Sequence, residues 1–323
     1  MKGVKPQNMK SYNERRIIEF LLRVKSATKP EIAEAAGISV TTVRNQLIDL
    51  IQEKSVESFG DPESIGGRPA EKYCLSSRFA PFLYIEFGFQ NCRCILFSLT
   101  GKQLLTRTIE PNQLETTLME ILKKEQQIDY IVLTVPGIPV ANGFIYGENL
   151  EQRQQYTFDF LSKFPSKINV EILNDLNLSA FGQAASNNLI KNLVYLSFNS
   201  CVGTGIVIDG KVYKGYQQFA GEIGMLSNGE KNIDECLASA DIIERKKIIN
   251  YLLELVALLI SPEMIVINDE VIQEKELIAG IKEVQKKLWT KPMILLNPPI
   301  EESNYAGAIQ LAIDNFLAKG WAT

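Results

Sequence analysis

The chain has 323 residues, 46% of them hydrophobic and 22% charged, which is enough length and apolar content for two or three domains with cores of their own. It contains no histidine, which removes Ser/His and Cys/His nucleophile arrangements together with the commonest general base and metal ligand. The formal net charge is −4 but unevenly placed: residues 1–78 hold 13 Lys and Arg against 10 Asp and Glu, while the remainder holds 21 against 28, so a mildly basic head precedes an acidic body, as in a modular nucleic-acid binder.

The chain opens on a polar stretch, MKGVKPQNMKSYNERR, with no apolar core of a secretion signal. The greasiest run, Tyr251 to Ile260, is interrupted by Glu254. Neither export nor membrane insertion is expected, and the location implied is cytoplasmic. From Asn13, Ile17, Leu21 and Val24 recur at helical spacing, flanked by Ile18, Phe20 and Leu22, predicting an amphipathic helix to Ser26. Thr28 then serves as N-cap, with Glu31 three residues on and Pro30 in the first turn, so a second helix is expected over about 30–36. Gly37 tolerates positive φ, and Ser39 caps a third helix running to about Glu53. Its residues Val40, Val43, Leu47 and Leu50 are expected to face inward, leaving Thr41, Thr42, Arg44 and Asn45 outward near its start.

Those outward residue types suit base edges in a major groove. Arginine reads guanine, asparagine reads adenine, and threonine contacts phosphate or a thymine methyl. Ser39, Thr41, Thr42, Arg44 and Asn45 are therefore the expected DNA-contacting set of a helix-turn-helix. Val56–Gly60 and Glu71–Leu75 predict two strands around Ser64-Ile65-Gly66-Gly67-Arg68-Pro69-Ala70, a β-hairpin wing whose Arg68 fits a narrow minor groove. The bland reading of the same residues is a three-helix unit with a solvated polar face.

After Pro81, strands are expected at Phe82–Phe87, Cys92–Leu99, Ile128–Val135, Val170–Leu173, Leu193–Phe198, Gly205–Ile208 and Met264–Ile267, alternating with amphipathic segments; that pattern predicts α/β architecture. Cys74, Cys92, Cys94, Cys201 and Cys236 lack metal-knuckle spacing and are expected as reduced, buried thiols, with no metal held.

An ordered series of motifs now accumulates. Gly66-Gly67-Arg68-Pro69-Ala70 is followed by Thr134-Val135-Pro136-Gly137, then by Asn174-Asp175-Leu176-Asn177 with Ala180 and Gly182. Gly205-Ile206-Val207-Ile208-Asp209-Gly210-Lys211, Phe219-Ala220-Gly221-Glu222-Ile223-Gly224 and Pro262-Glu263-Met264-Ile265-Val266-Ile267 complete it. The series resembles the ROK family, whose name abbreviates repressor, open reading frame and kinase. The resemblance implies a winged helix-turn-helix (residues 1–78) and a two-lobed actin-like sugar-kinase body. The first lobe would span residues 79–185, the second, shortened, 186–304, with a C-terminal helix of about 305–323 packing back on the first. It also implies homodimers or higher homo-oligomers and a sugar or sugar-phosphate effector held by Asn149, Asn174, Asp175 and Glu222.

The departures from the family pattern bear on chemistry. Kinase members open the body with an Asp-x-Gly-Gly-Thr turn that cradles ATP phosphates; here the turn reads Glu86-Phe87-Gly88-Phe89-Gln90, and a phenylalanine blocks close backbone approach. A second turn, Asn199-Ser200-Cys201-Val202-Gly203-Thr204-Gly205, carries side chains where kinases place glycine. Met225 stands where the family's zinc-binding histidine belongs, and only Cys236 remains of its three cysteines; one thiolate makes no tetrahedral site. Asp175 occupies the kinase base position, but positioning and neutralisation of phosphates dominate phosphoryl transfer, so Asp175 is expected as a vestige, with no catalytic residue and no cofactor. The expectation is a repressor of an operator in duplex DNA, modulated by a sugar. The alternatives are an effector-independent regulator whose body only dimerises or meets a partner, and an active carbohydrate kinase.

Overall fold

The computed structural model describes residues 6–60, 71–147, 152–187, 189–199 and 201–319; Arg68 and Asn149 lie outside them. The first unit comprises α1 (Pro6–Val24), β1 (Ser26–Thr28), α2 (Lys29–Ala36), α3 (Val40–Gln52), β2 (Val56–Gly60) and β3 (Glu71–Leu75). The strands form an antiparallel sheet ordered β1-β3-β2. Local signals set its helix boundaries. Glu31 accepts the Thr28 N–H at 2.7 Å at the start of α2, Gly37 ends it at φ 60°, and Ser39 Oγ accepts the Thr42 N–H at 3.1 Å at the start of α3. Ile17, Ile18, Leu21, Val43, Leu47 and Leu50 fill the space between the helices.

Two points differ from the sequence expectation. Helix α1 begins well before Asn13, and Val24 at its end is exposed. Val40 is 49% exposed while Gln46 is buried, so the inward stripe of α3 begins at Val43.

The body holds two five-stranded sheets. The first uses β4 (Phe82–Phe87), β5 (Cys92–Phe97), β6 (Gln103–Ile109), β7 (Tyr130–Val135) and, after α4 (Leu114–Lys124) and the small antiparallel sheet of β8 (Ile138–Val140), β9 (Gly143–Tyr146) and β10 (Gln154–Thr157), β11 (Asn169–Asn174). Helix α5 (Asp175–Ala185) leads on to the second sheet: β12 (Leu193–Ser197), β13 (Gly203–Ile208) and β14 (Lys211–Val212). A short hairpin of β15 (Ser227–Asn228) and β16 (Lys231–Asn232), α6 (Ile233–Ser239) and α7 (Ile242–Ile260) come before β17 (Met264–Asn268). Helix α8 (Glu274–Lys287) and β18 (Met293–Leu296) follow, and α9 (Ile300–Ala318) closes the chain.

The orders β11-β7-β4-β5-β6 and β14-β13-β12-β17-β18 are one topology twice. In each, the first strand lies centrally, pairs antiparallel with the second and parallel with the fourth. Strands β7, β12 and β17 are buried at every residue, as expected of strands covered on both faces. The strands predicted from sequence are present within a few residues, β5, β7 and β13 each differing by two residues at one end; β6, β8 to β10, β14 to β16 and β18 are additional to them.

Helix α9 begins at Ile300, ahead of the expected Tyr305, and crosses α5 backbone to backbone. A Cβ added to Gly182 would lie 1.8 Å from the Ser303 carbonyl oxygen, and one on Gly307 would lie 2.5 Å from that of Leu178. Ser179 donates to Asn304 and Gln183 to Ser303, both at 2.7 Å. No disulfide joins the cysteines; Cys92 and Cys94 are buried as expected, whereas Cys201 is exposed and Cys74 and Cys236 are half-buried, because Cys74 alternates onto the face of β3 opposite the buried Tyr73 and Leu75, Cys201 lies in a turn and Cys236 is on α6. Among the described residues no helix is long and apolar enough to cross a membrane.

Candidate nucleic-acid interface and ligand cleft

On α3 the cap separates the expected DNA-contacting residues into two kinds. Ser39 and Thr42 bond to each other, Oγ to Oγ1 at 2.8 Å, and Ser39 also holds the Thr42 N–H, so both hydroxyls are engaged in starting the helix. Thr41, Arg44 and Asn45 are exposed, and Val40 joins them. An apolar side chain here offers contact to a thymine methyl. Sequence spacing places Val40 in the core; its position as the first helical residue is the available signal that it lies beyond the packed region. The N-terminus of α3 also presents the positive end of the helix dipole, which favours a phosphate. Across the helix, Asp49 pairs with Lys10 at 2.8 Å, keeping one carboxylate occupied.

Asn174 and Asp175 lie at the junction of β11 with α5, and Glu222 lies in the loop after β14. Asn174 closes β11, and its Oδ1 accepts N–H groups of Leu176 at 2.9 Å and Asn177 at 3.3 Å while its amide donates to the Gly137 carbonyl at 3.2 Å. Asp175 also accepts the Leu176 N–H at 2.9 Å. Burial pushes the Asp175 carboxyl up to about 6, with the nearby Glu86 carboxylate adding to the effect. Glu86 is paired with Arg93 at 2.6 Å, and Arg93 reaches Glu301 at the start of α9 at 3.0 Å. Burial also raises the Glu222 carboxyl, assisted by Asp234. Two buried polar atoms in this neighbourhood, Asn177 Oδ1 on α5 and Thr204 Oγ1 on β13, have no hydrogen-bond partner among the described residues.

The two turns that correspond to phosphate cradles are filled differently. Phe89 in the first stands 4.8 Å from Tyr146 and 5.8 Å from Phe144 between ring centroids, part of an aromatic cluster with Phe87, Tyr156 and Phe158. In the second, the Val202 N–H donates to Asp234 Oδ1 at 2.6 Å. A carboxylate from α6 thus holds a backbone donor of this turn. No motif points to this pairing, because the two residues are far apart along the chain.

The lobes touch beside the cleft through Lys214 and Glu171 at 3.3 Å and through Gln218, which donates to the Pro139 carbonyl at 3.0 Å. Two surface hollows, about 350 Å³ between α7 and α8 and about 340 Å³ beside β11, include none of Asn174, Asp175 and Glu222. Among the described residues no group of three or more Cys, Asp or Glu is arranged to hold a metal.

The duplicated sheets, the Asn174-Asp175 helix start and the Gly221-Glu222 turn agree with the comparison by sequence profile: the ROK family profile matches residues 82–237. The chain is a ROK-family protein over that region. Xylose repressors of Bacillus subtilis and Staphylococcus xylosus are 25% and 23% identical, over 69% and 66% of this chain. The chain spans about 63% of the length of the B. subtilis repressor and 59% of that of S. xylosus. Among solved structures, a ROK family transcriptional regulator described as a homologue of the E. coli MLC protein matches 97% of this chain and 98% of its own, with TM-score 0.65 and 18% identity. A ROK family glucokinase from Streptomyces griseus, solved with glucose and AMPPNP, matches 72% of this chain with TM-score 0.51 and 14% identity. Both likenesses establish the ROK fold. The first extends it over α1 to β3, which lie outside the profile match.

Proposed function

We propose that this ROK protein is a sequence-specific DNA-binding transcriptional repressor modulated by a sugar or sugar derivative, without kinase activity. Residues 1–78 would form a winged helix-turn-helix, followed by lobes at 79–185 and 186–304, with α9 returning to the first. The observation that carries the reading is the outward start of α3. Thr41, Arg44 and Asn45 are exposed, and among the described residues neither the Arg44 nor the Asn45 side chain makes an intramolecular hydrogen bond. Arg44 and Asn45 would read base edges, Thr41 and Val40 would contact phosphate or thymine methyl, and Ser39 and Thr42 would hold the helix start that presents them. Arg68 would enter the minor groove. The named repressors among its relatives support the same reading.

Footprinting on duplex DNA from upstream of candidate genes tests it. Specific protection is expected, with affinity falling at a log-log slope of about −0.9 per phosphate neutralised. Equal affinity for random and upstream duplexes would refute it.

Asn149, Asn174, Asp175 and Glu222 would hold the effector, and the unpartnered Asn177 Oδ1 and Thr204 Oγ1 are atoms a polyol hydroxyl could satisfy, since an orphaned buried polar atom costs about 1 to 3 kcal/mol. A physical route joins that cleft to the head. Helix α5 starts in the cleft, and α9 lies on it with almost no space between backbones. At its far end α9 offers the Leu317 carbonyl to Arg15 of α1 at 2.8 Å, and Phe316 stacks edge-on against Phe79 at 5.4 Å. Phosphoryl transfer is opposed by Phe89 in one turn and the Asp234 carboxylate in the other. Calorimetry with Mg·ATP should show no binding; tight binding would restore the kinase reading.

One set of observations favours an effector-independent regulator: Asn174 and Asp175 already serve the α5 cap, and neither surface hollow includes them. Thermal shift against a sugar and sugar-phosphate panel separates the two, because a ligand at 100 times its Kd stabilises by about 2.7 kcal/mol.

A further inference from the structure

The turn that carries Glu222 departs from the family pattern on one side. Met225 stands in the place of a histidine, and Asp234, in the first turn of α6, comes up against the same turn. Its carboxylate fills the space where a Gly224 side chain would begin, with Oδ1 2.6 Å from that position. Glu222 and Asp234 are both half-buried; burial raises both carboxyls, and Asp234 adds to the effect at Glu222. Among the described residues no lysine or arginine pairs with either. Two carboxylates drawn from water side by side repel, and neither has the cation that offsets burial of a charge. A second observation lies against this turn. Thr204 on β13 is 7% exposed, and its Oγ1 has no hydrogen-bond partner among the described residues. A Cβ on Gly221 would lie 3.3 Å from the Thr204 Cβ, so the orphaned hydroxyl is buried beside the residue that precedes Glu222. Asp234 reaches the start of the same strand, where its Oδ1 takes the Val202 N–H at 2.6 Å. Glu222, Asp234 and Thr204 thus frame a spot rich in acceptor oxygens, and the backbone donor next to it is already engaged.

We propose that Glu222, Asp234 and Thr204 form a subsite for an ammonium group, so that the effector is a free amino sugar and not a neutral or phosphorylated one. The inference rests on the effector reading above, in which Asn174 and Asp175 meet the hydroxyls of the ring. An ammonium is compact and presents three N–H donors, one for each of the three side chains. It also brings the positive charge that the two carboxylates lack. A hydroxyl in the same place offers one donor and no charge. A phosphate brings more negative charge and more acceptor oxygens to a spot that already holds both, and the Val202 N–H that could receive it is taken by Asp234. Asp234 is the residue that sets this preference, because it doubles the negative charge beside Glu222.

Calorimetry with the full chain tests the subsite. Hexoses of gluco, galacto and manno configuration serve as probes, each as the parent sugar, the 2-amino sugar, its N-acetyl form and the 6-phosphate of the parent. Within at least one configuration the amino sugar is expected to bind about tenfold or more tighter than the parent. The N-acetyl form keeps the ring and loses the charge, so it should gain nothing over the parent, and the 6-phosphate should bind more weakly than the parent. Asp234→Asn retains an oxygen for the Val202 N–H and should bring the amino sugar to within about twofold of the parent. Should that variant fail to fold, the N-acetyl comparison on the wild type decides. A parent sugar or phosphate that binds tighter than the amine, an N-acetyl form that matches the amine, or an advantage of the amine that survives Asp234→Asn would each overturn the proposal and leave the effector reading standing. Binding of none of the probes would overturn both.

Discussion

The start of α3 and the cleft between the lobes are both lined by polar side chains, yet they differ in what those side chains already do. On α3, capping is confined to Ser39 and Thr42, and Arg44 and Asn45 face solvent. In the cleft, Asn174 and Asp175 hold the first N–H groups of α5, Glu86 holds Arg93, and Asp234 holds the Val202 N–H. Burying a polar group is costly unless it is bonded, so these cleft side chains help to keep the fold by bonding internally. A solvated outward face has no such requirement. One region is a joint and the other an open surface, and each can be tested as such.

The joint should break hardest where backbones touch. Gly182→Leu would force a side chain into the Ser303 carbonyl and is expected to destabilise the whole chain by about 3 kcal/mol or more, seen as a lower denaturant midpoint. A neutral result would mean that α5 and α9 do not cross at backbone contact. Next in size is the capping residue of the open surface. Ser39→Ala should cost about 0.5 to 2 kcal/mol of stability, whereas Arg44→Ala should change stability by less than about 0.5 kcal/mol. Equal losses would erase the distinction between engaged and unengaged residues on α3.

Smaller still is a pH effect in the cleft. Asp175 titrates near 6 when folded and near 3.9 when unfolded, so between those values the folded chain binds more protons and its stability rises as pH falls from about 6 toward 4. Asp175→Asn should remove that contribution and raise the melting temperature at pH 7 relative to wild type. An unchanged pH profile would show that the carboxylate is not held against burial and Glu86. The smallest change expected is Val40→Ala, which should leave the fold intact and lower affinity for a thymine-bearing site by at most about 1 kcal/mol, measured by competition between duplexes with and without that thymine.

Much of the head is legible in the sequence because independent local signals agree there: Thr28 with Glu31, Gly37 at positive φ, and Ser39 before the apolar period of α3. Val40 is the exception. Its spacing fits the stripe, but a first helical residue lies beyond the packed elements, and Gln46 takes a buried place instead. In the body, strands with continuous apolar runs such as Tyr130–Val135 stand out, while β6, with Thr106, Arg107 and Thr108 along a half-buried edge, carries no such run. The duplicated topology is invisible as a sequence repeat because strand order is fixed by long-range pairing and not by residue identity. Asp234 in the second turn and the crossing of Gly182 with Gly307 depend on contacts between distant segments, which spacing cannot reveal. Arg68, expected at a wing tip, and the effector candidate Asn149 lie outside the described residues.

The central claim is that the start of α3 reads duplex DNA. Selection from a randomised duplex library, carried out in parallel with wild type and Arg44→Ala, tests it most directly. The account predicts that wild type enriches a two-fold motif and that the variant loses about 1 to 3 kcal/mol of discrimination at one base position of each half-site. Enrichment of no motif by wild type, or a loss in the variant spread evenly over all sequences, would contradict it.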